Sequence, residues 1–194
     1  MTTIDSRLFL ACVPTAHVRD DVAERARAVL GSSLERVYAA EDLHLTLVFL
    51  GHVDAERAQL VEAGMARAFG DAAPISLRVG GTGSFATAGR EHALWAGFEL
   101  GVEANARLLD LVARGRQLAA ESGIALAARD AAQPFVPHLT LARPRPSEVA
   151  PRDFARLAFD LDWLADEVVL CASVGAGRPG GRYPVRARVR LCGS

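Results

Sequence analysis

The tetrapeptide His-Leu-Thr-Leu occurs twice in the chain, at residues 44–47 and 138–141, although the sequence holds only five histidines. Successive side chains of a β-strand point to opposite faces, so the histidine and the threonine of each copy share one face, about 6–7 Å apart. One copy alone is typical of an ordinary amphipathic strand. An identical second copy instead indicates an internal duplication, in which two half-units bring their polar faces together.

The residues that such a duplication would bring together, His44, Thr46, His138 and Thr140, suit chemistry at phosphorus. Histidine has an unperturbed pKa of about 6.5, so it can accept and donate a proton near neutrality. Two imidazoles on opposite sides of a phosphorus atom could activate the attacking oxygen and protonate the departing one. The threonine hydroxyls could donate hydrogen bonds to the non-bridging oxygens, where charge accumulates.

The composition excludes several other kinds of chemistry. All 22 basic residues are arginine, which excludes Schiff-base catalysis, ligation through a lysyl-nucleotide and a P-loop lysine. The net charge of −1 predicts that any contact with nucleic acid is local. The three cysteines lack C-x-x-C spacing, which predicts inert thiols in a reducing cytosol. No apolar run approaches the roughly 18 residues of a membrane span, and the N-terminal apolar run is too short for export, so we expect a soluble, cytoplasmic protein. We also expect a monomer.

The elements that must position the two motifs follow the order β-α-β-α-β-β-α-β-(α)-β-β. The first motif strand is predicted to end at Gly51 and the second at Pro144. Residues 74–85 and 92–100 are predicted to form two strands joined by a glycine-rich loop, and residues 147–159 a short helix. No linker divides the chain, so we expect one α+β domain over residues 1–194, built on antiparallel sheets.

In this context the paired H-x-T-x motifs resemble those of the 2H phosphoesterase superfamily, and in particular the RNA 2′,3′-cyclic phosphodiesterases, also described as 2′-5′ RNA ligases. The resemblance covers nearly the whole chain and includes the segments RLFLACVP, EDLHLTLVFLG, ALWAGFE, PFVPHLTLARP and SVGAGRPGGRYPV. It implies two pseudo-symmetric lobes, each an antiparallel sheet with helices on its outer face, and a central cleft that carries one motif per lobe. It also implies that neither a metal nor a nucleotide cofactor is needed.

The same resemblance implies a reaction. RNA that ends in a 2′,3′-cyclic phosphate is opened to leave a 2′-phosphate, and the resemblance also implies reversible ligation of RNA through a 2′-5′ linkage. Because the 3′-oxygen leaves, the resemblance assigns His44 as the general acid and His138 as the general base that activates water. The near-symmetry of the motifs leaves the opposite assignment open.

Three more residues are candidates for binding the substrate. Arg143 matches a phosphate-contacting position of the family, although strict alternation turns it away from His138 unless a bulge or twist intervenes. Phe49 matches a base-stacking position, but alternation places it with the core leucines. Tyr183, with Arg182 before it, lies at the entrance of the last strand and could contact the RNA end, whereas a surface ion pair is the structural alternative.

Other features favour structural roles. Trp95 is expected in the core, and His52 is expected in a solvated loop after the first motif strand. Residues 182–191 alternate so that Arg186, Arg188 and Arg190 are expected to project from one side of a strand. That cationic face either binds the RNA strand or protects a sheet edge from aggregation.

The sequence leaves three alternative functions open. A metal-dependent hydrolase could use both histidines as ligands, although zinc takes three or more protein ligands. A non-catalytic protein could bind RNA ends or nucleotides in the same cleft. The same fold could also act on small nucleoside cyclic phosphates.

Overall fold

The computed structural model describes residues 6–88, 90–127, 134–174 and 181–193. Within these residues the chain forms eight strands and three helices. The strands are β1 (Ser6–Cys12), β2 (Leu45–Val53), β3 (Ile75–Thr87), β4 (Arg90–Glu99), β5 (His138–Ala142), β6 (Leu161–Ala165), β7 (Glu167–Ser173) and β8 (Val185–Arg190). The helices are α1 (Ala16–Leu30), α2 (Ala55–Phe69) and α3 (Val102–Glu121).

The strands form one antiparallel sheet in the order β6-β3-β4-β5-β2-β1-β7-β8. Few backbone hydrogen bonds join the two strands at its centre, because β2 and β5 are paired only through Leu45 opposite Leu139. On each side of this seam the neighbouring strands are joined by a helix, as β1-α1-β2 and as β4-α3-β5. The predicted α+β fold with antiparallel pairing is therefore confirmed, and the sheet consists of two four-stranded halves that meet at the motif strands.

All three helices cover the same face of the sheet and bury one apolar core. Two of them cross the seam: α1 packs on β5 and β6 of the second half, and α3 packs on β2 of the first half. The approach of α3 is close at Gly115, where an added Cβ would lie 2.9 Å from Val48 and 3.1 Å from Leu10. This exchange of helices holds the two halves together, although few backbone bonds join them.

The strand predicted over residues 74–85 is present, and β3 continues beyond it to Thr87. Its glycines allow close neighbours: the Trp95 ring lies directly over Gly83. One prediction about the helices was wrong, and one strand was missed. The segment predicted as a short helix contains only a 3-10 helix, Arg152–Arg156. The edge strand β6, which pairs with β3, was not predicted.

The first motif strand also extends beyond its predicted end. Gly51 adopts a φ of 77° and marks an irregularity within β2 rather than its end, because pairing with β1 continues to Val53. His52 therefore lies in the strand and not in a loop. Among the described helices, none is long and apolar enough to cross a membrane.

Candidate active site

The seam between the halves brings the two tetrapeptides side by side. With Leu45 opposite Leu139 in an antiparallel pair, the register sets His44 across from Thr140 and His138 across from Thr46. Directly opposed side chains in such a pair have Cβ atoms about 4.5–5.5 Å apart. Both leucines are buried in the core on the helix-covered face. The two histidines and two threonines thus form a compact quartet on the open face, called the motif quartet below.

Both imidazoles are oriented by the same local hydrogen bond. His44 Nδ1 lies 2.8 Å from the backbone carbonyl oxygen of Asp42. His138 Nδ1 lies 2.7 Å from that of Val136. A carbonyl oxygen only accepts, so Nδ1 carries the hydrogen in each neutral ring and Nε2 is left as the acceptor. Each Nε2 can therefore take a proton as a base or, once protonated, give it as an acid.

The two histidines differ in electrostatic environment. The pKa of His44 is lowered to about 4, first by burial and then by the charges of His138 and Arg143. The pKa of His138 is also lowered, first by burial and then by the charge of Arg143. Both imidazoles are consequently neutral at pH 7 in the free protein. A bound phosphodiester anion would favour their protonated forms.

His44 is enclosed by aromatic rings. The ring of Phe9 lies 4.7 Å from the imidazole, centroid to centroid, and the ring of Tyr183 contacts it edge-on at the same distance. Burial and a hydrogen bond to Tyr38 raise the pKa of Tyr183, so its phenol stays protonated. Tyr183 therefore lies at the candidate site, in contact with His44.

His138 has a different aromatic neighbourhood. The ring of Phe85 contacts it edge-on at 4.9 Å, and the Trp95 ring lies 6.1 Å away. The prediction that Trp95 lies in the core was wrong, because it pairs with Thr140 on the open face and is only partly buried. Its indole Nε1 is buried without a hydrogen-bond partner among the described residues. Phe9 and Phe85 were missed by the sequence analysis, although strand alternation could have identified Phe9.

A bulge in each motif strand changes which side chains reach the open face. Leu10 pairs with Val48 and Ala11 with Thr46, so Leu47 is the extra residue of β2. Phe49 then falls on the same face as Thr46, where its side chain is 45% exposed and its ring lies 5.9 Å from that of Phe9. The expectation from strict alternation that Phe49 packs with the core leucines was wrong, because a bulge reverses the facing of the residues beyond it.

The second motif strand repeats this bulge at the equivalent residue. Leu94 pairs with Ala142 and Trp95 with Thr140, which makes Leu141 the extra residue of β5. Arg143 accordingly turns toward the open face, where its charge lowers the pKa of both histidines. The bulge that the sequence analysis required for Arg143 to face the motif quartet is present.

A buried tyrosine that the sequence analysis missed holds Arg143. Tyr38, 4% exposed, accepts a hydrogen bond from Arg143 Nε at 3.1 Å, and its hydroxyl lies 3.2 Å from that of Tyr183. Its backbone nitrogen donates to the carbonyl oxygen of Leu141 at 2.8 Å. Tyr38 thereby links the arginine of one half to the aromatic enclosure of the other.

The other arginines considered for substrate binding form ion pairs with carboxylates. Arg182 forms an ion pair with the buried carboxylate of Asp42, with Nε 3.3 Å from Oδ2, so it takes the structural alternative considered for it. The three arginines of β8 do not form one cationic face, contrary to prediction. Arg186 pairs with Glu62 of α2, whereas Arg188 and Arg190 pair with Glu167 and Asp166. The cause is a bulge in β8 between Val185 and Ala187.

No group of three or more histidine, cysteine, aspartate or glutamate side chains that could hold a metal ion occurs among the described residues. Two of the cysteines, Cys12 and Cys171, are buried, and burial raises the pKa of each thiol to about 12. Neither thiol is therefore a nucleophile at neutral pH.

The family model of the 2′-5′ RNA ligase superfamily matches residues 13–176, a range that includes both motifs. The RNA 2′,3′-cyclic phosphodiesterase of Thermotoga maritima is 27% identical over 158 residues, which cover 79% of this chain and 78% of that protein. The enzyme of the same name from Geobacillus stearothermophilus is 31% identical over 140 residues, which cover 71% of this chain and 42% of that longer protein.

Solved structures show the same fold. E. coli LigT complexed with 3′-AMP superposes with a TM-score of 0.75 at 26% sequence identity, and the match covers 96% of this chain and 98% of LigT. The protein TT0787 of Thermus thermophilus gives a TM-score of 0.75 at 29% identity, with the same coverage of both chains.

Proposed function

Because this chain belongs to the 2′-5′ RNA ligase superfamily, we propose that it hydrolyses RNA ends that carry a 2′,3′-cyclic phosphate and leaves a 2′-phosphate. The chain is an enzyme of the phosphodiesterase type, as are its named relatives. The observation that carries the finer proposal is the motif quartet, in which two imidazoles with available Nε2 atoms and two hydroxyls share one face.

The quartet supports an in-line displacement at phosphorus. His138 Nε2 takes a proton from water, whose oxygen forms the new bond to phosphorus. The bond from phosphorus to the 3′-oxygen breaks, and His44 gives its proton to that oxygen. Thr46 and Thr140 donate hydrogen bonds to the non-bridging oxygens, which carry more charge in the transition state. The residues in this scheme do all the proton transfer, so it requires no metal.

The surroundings of His44 suit the part of the substrate that carries the leaving 3′-oxygen. His44 is packed between Phe9 and Tyr183, and Phe49 extends that aromatic surface, which suits the ribose and base of the leaving side. The phosphate anion must raise the pKa of His44 before it can act as an acid, since burial lowers that pKa to about 4 in the free protein. Arg143, held by Tyr38, lies near both imidazoles and supplies a fixed charge for the phosphoryl oxygens.

Ligation follows from the same geometry with a different nucleophile. A 5′-hydroxyl in the place of water would attack the cyclic phosphate, with His138 as base and His44 as acid, and would form a 2′-5′ linkage. In the reverse of that step, the cleavage of a 2′-5′ linkage, each histidine takes the opposite proton role by microscopic reversibility.

A second candidate substrate class is the small nucleotide. E. coli LigT, 26–27% identical to this chain, has been crystallised with 3′-AMP, with ATP and with NADP+. The motif quartet and Phe49 provide for one phosphate and one base, which a nucleoside cyclic phosphate also carries.

The decisive experiment uses an oligonucleotide that ends in a 2′,3′-cyclic phosphate, with the product identified as a 2′- or a 3′-phosphate. We expect a 2′-phosphate, turnover that persists in EDTA, and near-complete loss in His44→Ala and His138→Ala. Turnover that EDTA abolishes and zinc restores would establish the metal-dependent alternative. Binding of the cyclic end without turnover would establish a non-catalytic protein.

A further inference from the structure

The open face of the first half continues beyond the motif quartet as rows of side chains across β2, β1 and β7. The register places Phe49 and Phe9 in one row and, next along the strands, a row that we call the outer row: His52, Arg7 and Ser173. Neighbouring rows lie about two residues of strand apart, roughly 7 Å. The exposed ring of Phe49 therefore lies between the motif quartet and the outer row.

The outer row faces the same side as the quartet. Leu8 and Val53, the neighbours of Arg7 and His52 in their strands, are buried in the helix-covered core, so alternation turns Arg7 and His52 outward. All three side chains of the outer row are exposed. Within the described part of the chain, none of them makes a hydrogen bond or an ion pair.

Arg7 differs in this respect from the arginines around it. Arg182, Arg188 and Arg190 lie on the same half and are each paired with a carboxylate. Arg7 has no such partner among the described residues. Its guanidinium is therefore available for a bidentate contact with a phosphate. The imidazole of His52 and the hydroxyl of Ser173 add two further hydrogen-bonding groups to the row.

We infer that the outer row binds the 5′-phosphate of the nucleotide whose base lies on Phe49. The inference rests on the proposed function and extends it, because it makes the preferred substrate a 5′-phosphorylated nucleotide or RNA end rather than a bare nucleoside cyclic phosphate. The terminal cyclic phosphate occupies the motif quartet and the base covers Phe49. Arg7 lies two rows, about 14 Å, from the quartet, so its long side chain extends back toward the quartet to contact the next phosphate. The same group is a monoester in a mononucleotide and a diester in RNA.

The test compares three substrates with one terminal nucleoside: its 2′,3′-cyclic phosphate alone, the same compound with a 5′-phosphate, and a dinucleotide that ends in it. The wild-type protein is compared with Arg7→Gln and with the control Arg27→Gln, an exposed arginine of α1 on the helix-covered face. We expect wild type and Arg27→Gln to prefer both phosphate-bearing substrates by roughly tenfold in kcat/KM, the low end for a hydrogen bond to a charged group.

In Arg7→Gln the preference should fall to near unity, while turnover of the bare cyclic phosphate stays unchanged. The slope of log affinity for the dinucleotide against log salt should become shallower by about 0.7, the value of one phosphate contact on a single strand. A preference for both phosphate-bearing substrates would mean that the outer row binds the 5′-phosphate as a monoester and as a diester. A preference for the dinucleotide alone would mean that it binds the diester form only. The inference is overturned if Arg7→Gln retains the preference for the phosphate-bearing substrates, or if it lowers kcat/KM equally for all three substrates.

Calorimetry keeps this result separate from a failure of the proposed function. Nucleoside 2′-phosphates with and without a 5′-phosphate bind without being turned over. If wild type hydrolyses no cyclic substrate, the proposed function fails, yet a tenfold affinity difference that disappears in Arg7→Gln still supports the outer row. Equal affinity of wild type for the two ligands overturns it.

Discussion

The two motif strands have the same tetrapeptide and the same backbone, but different surroundings. In both, the imidazole donates to the carbonyl oxygen two residues earlier, and the last leucine of the tetrapeptide forms a bulge. Around His44 lie Phe9 and Tyr183. Around His138 lie Phe85 and Trp95, and the enclosure is less complete.

The second residue after each bulge shows the difference most clearly. The equivalent position holds Phe49 in the first strand and Arg143 in the second, and both reach the open face. One half thus presents a surface for a base, and the other presents a charge for a phosphate. A duplicated backbone sets two imidazoles symmetrically, and the side chains around them decide what each one does.

The largest expected effect comes from removing either imidazole. His44→Ala and His138→Ala should each lower turnover by roughly 10²–10⁴, the usual contribution of general acid–base catalysis. Because the two act together, the double variant should lose far less than the product of the single losses. A single variant with near-native turnover would remove that histidine from the mechanism.

A change of leaving group separates the two histidines. When sulfur replaces the leaving 3′-oxygen, the departing thiolate needs no proton. Such a substrate should restore much of the turnover of His44→Ala and little of that of His138→Ala. The opposite pattern of rescue would exchange the acid and base roles, which the symmetric backbone permits.

Removing the threonine hydroxyls should have the next largest effect on turnover. Thr46→Val and Thr140→Val each keep the shape and remove a hydroxyl, and turnover should fall by roughly 10²–10³ if the hydroxyl acts on the transition state. Thr15→Val is the matched control, because Thr15 precedes α1 and its side chain caps nothing. Unchanged turnover per folded molecule would make the motif threonines structural.

The lowered pKa values of the histidines predict an acidic optimum. The active form needs one imidazole protonated and the other neutral, and kcat/KM reports the pKa values of the free enzyme. Since both pKa values lie below 6.5 and that of His44 is about 4, kcat/KM should be highest between about 4 and 6.5. It should fall about tenfold per pH unit above that window, as the last proton is lost.

The profile of kcat should lie at higher pH, because the bound phosphate anion favours the protonated imidazoles. NMR titration of the imidazole C–H resonances checks the assignment: His44 should titrate near 4 and His138 below 6.5. A kcat/KM optimum at or above pH 7 would show that the enclosure of His44 does not lower its pKa as described.

The sequence was sufficient to predict the quartet and the α+β class, because a repeated H-x-T-x pattern and strand periodicity are local features. It was misleading for Phe49, because the facing of a residue beyond a bulge depends on one extra residue in the pairing. The consecutive apolar pairs Leu47-Val48 and Leu141-Ala142, both buried, are the local feature that breaks alternation. Had each pair been interpreted as a bulge, Phe49 and Arg143 would both have been predicted on the open face.

Other parts could not be read locally at all. Tyr38 lies in a segment without a motif, and its contact with Arg143 joins residues that are 105 positions apart. The face of Trp95 depends on its pairing with β5, which no residue of its own strand specifies. The pairing of Arg186 with Glu62 likewise depends on where α2 packs against the last strand.

The smallest predicted effect tests whether Tyr38 positions Arg143. Tyr38→Phe keeps the buried ring and removes the hydroxyl that accepts from Arg143 Nε. We expect kcat/KM to fall about tenfold, which corresponds to a net hydrogen bond to a charged group of about 1.5 kcal/mol. Tyr183→Phe is the matched variant, because it removes the neighbouring hydroxyl and leaves the bond between Arg143 and Tyr38 intact. Its loss should therefore be smaller.

A double-mutant cycle decides whether Tyr38 acts through the arginine or through stability. If it acts through Arg143, then Tyr38→Phe should cost nothing further in an Arg143→Gln background, because the two single losses share one interaction. If the losses instead multiply, Tyr38 contributes independently of Arg143, and the free energy of unfolding of Tyr38→Phe should account for its effect. In that case the functional difference between the two halves rests on Phe49 and Arg143 alone. Tyr38 would then not connect the Arg143 charge of the second half with the aromatic enclosure of His44 in the first.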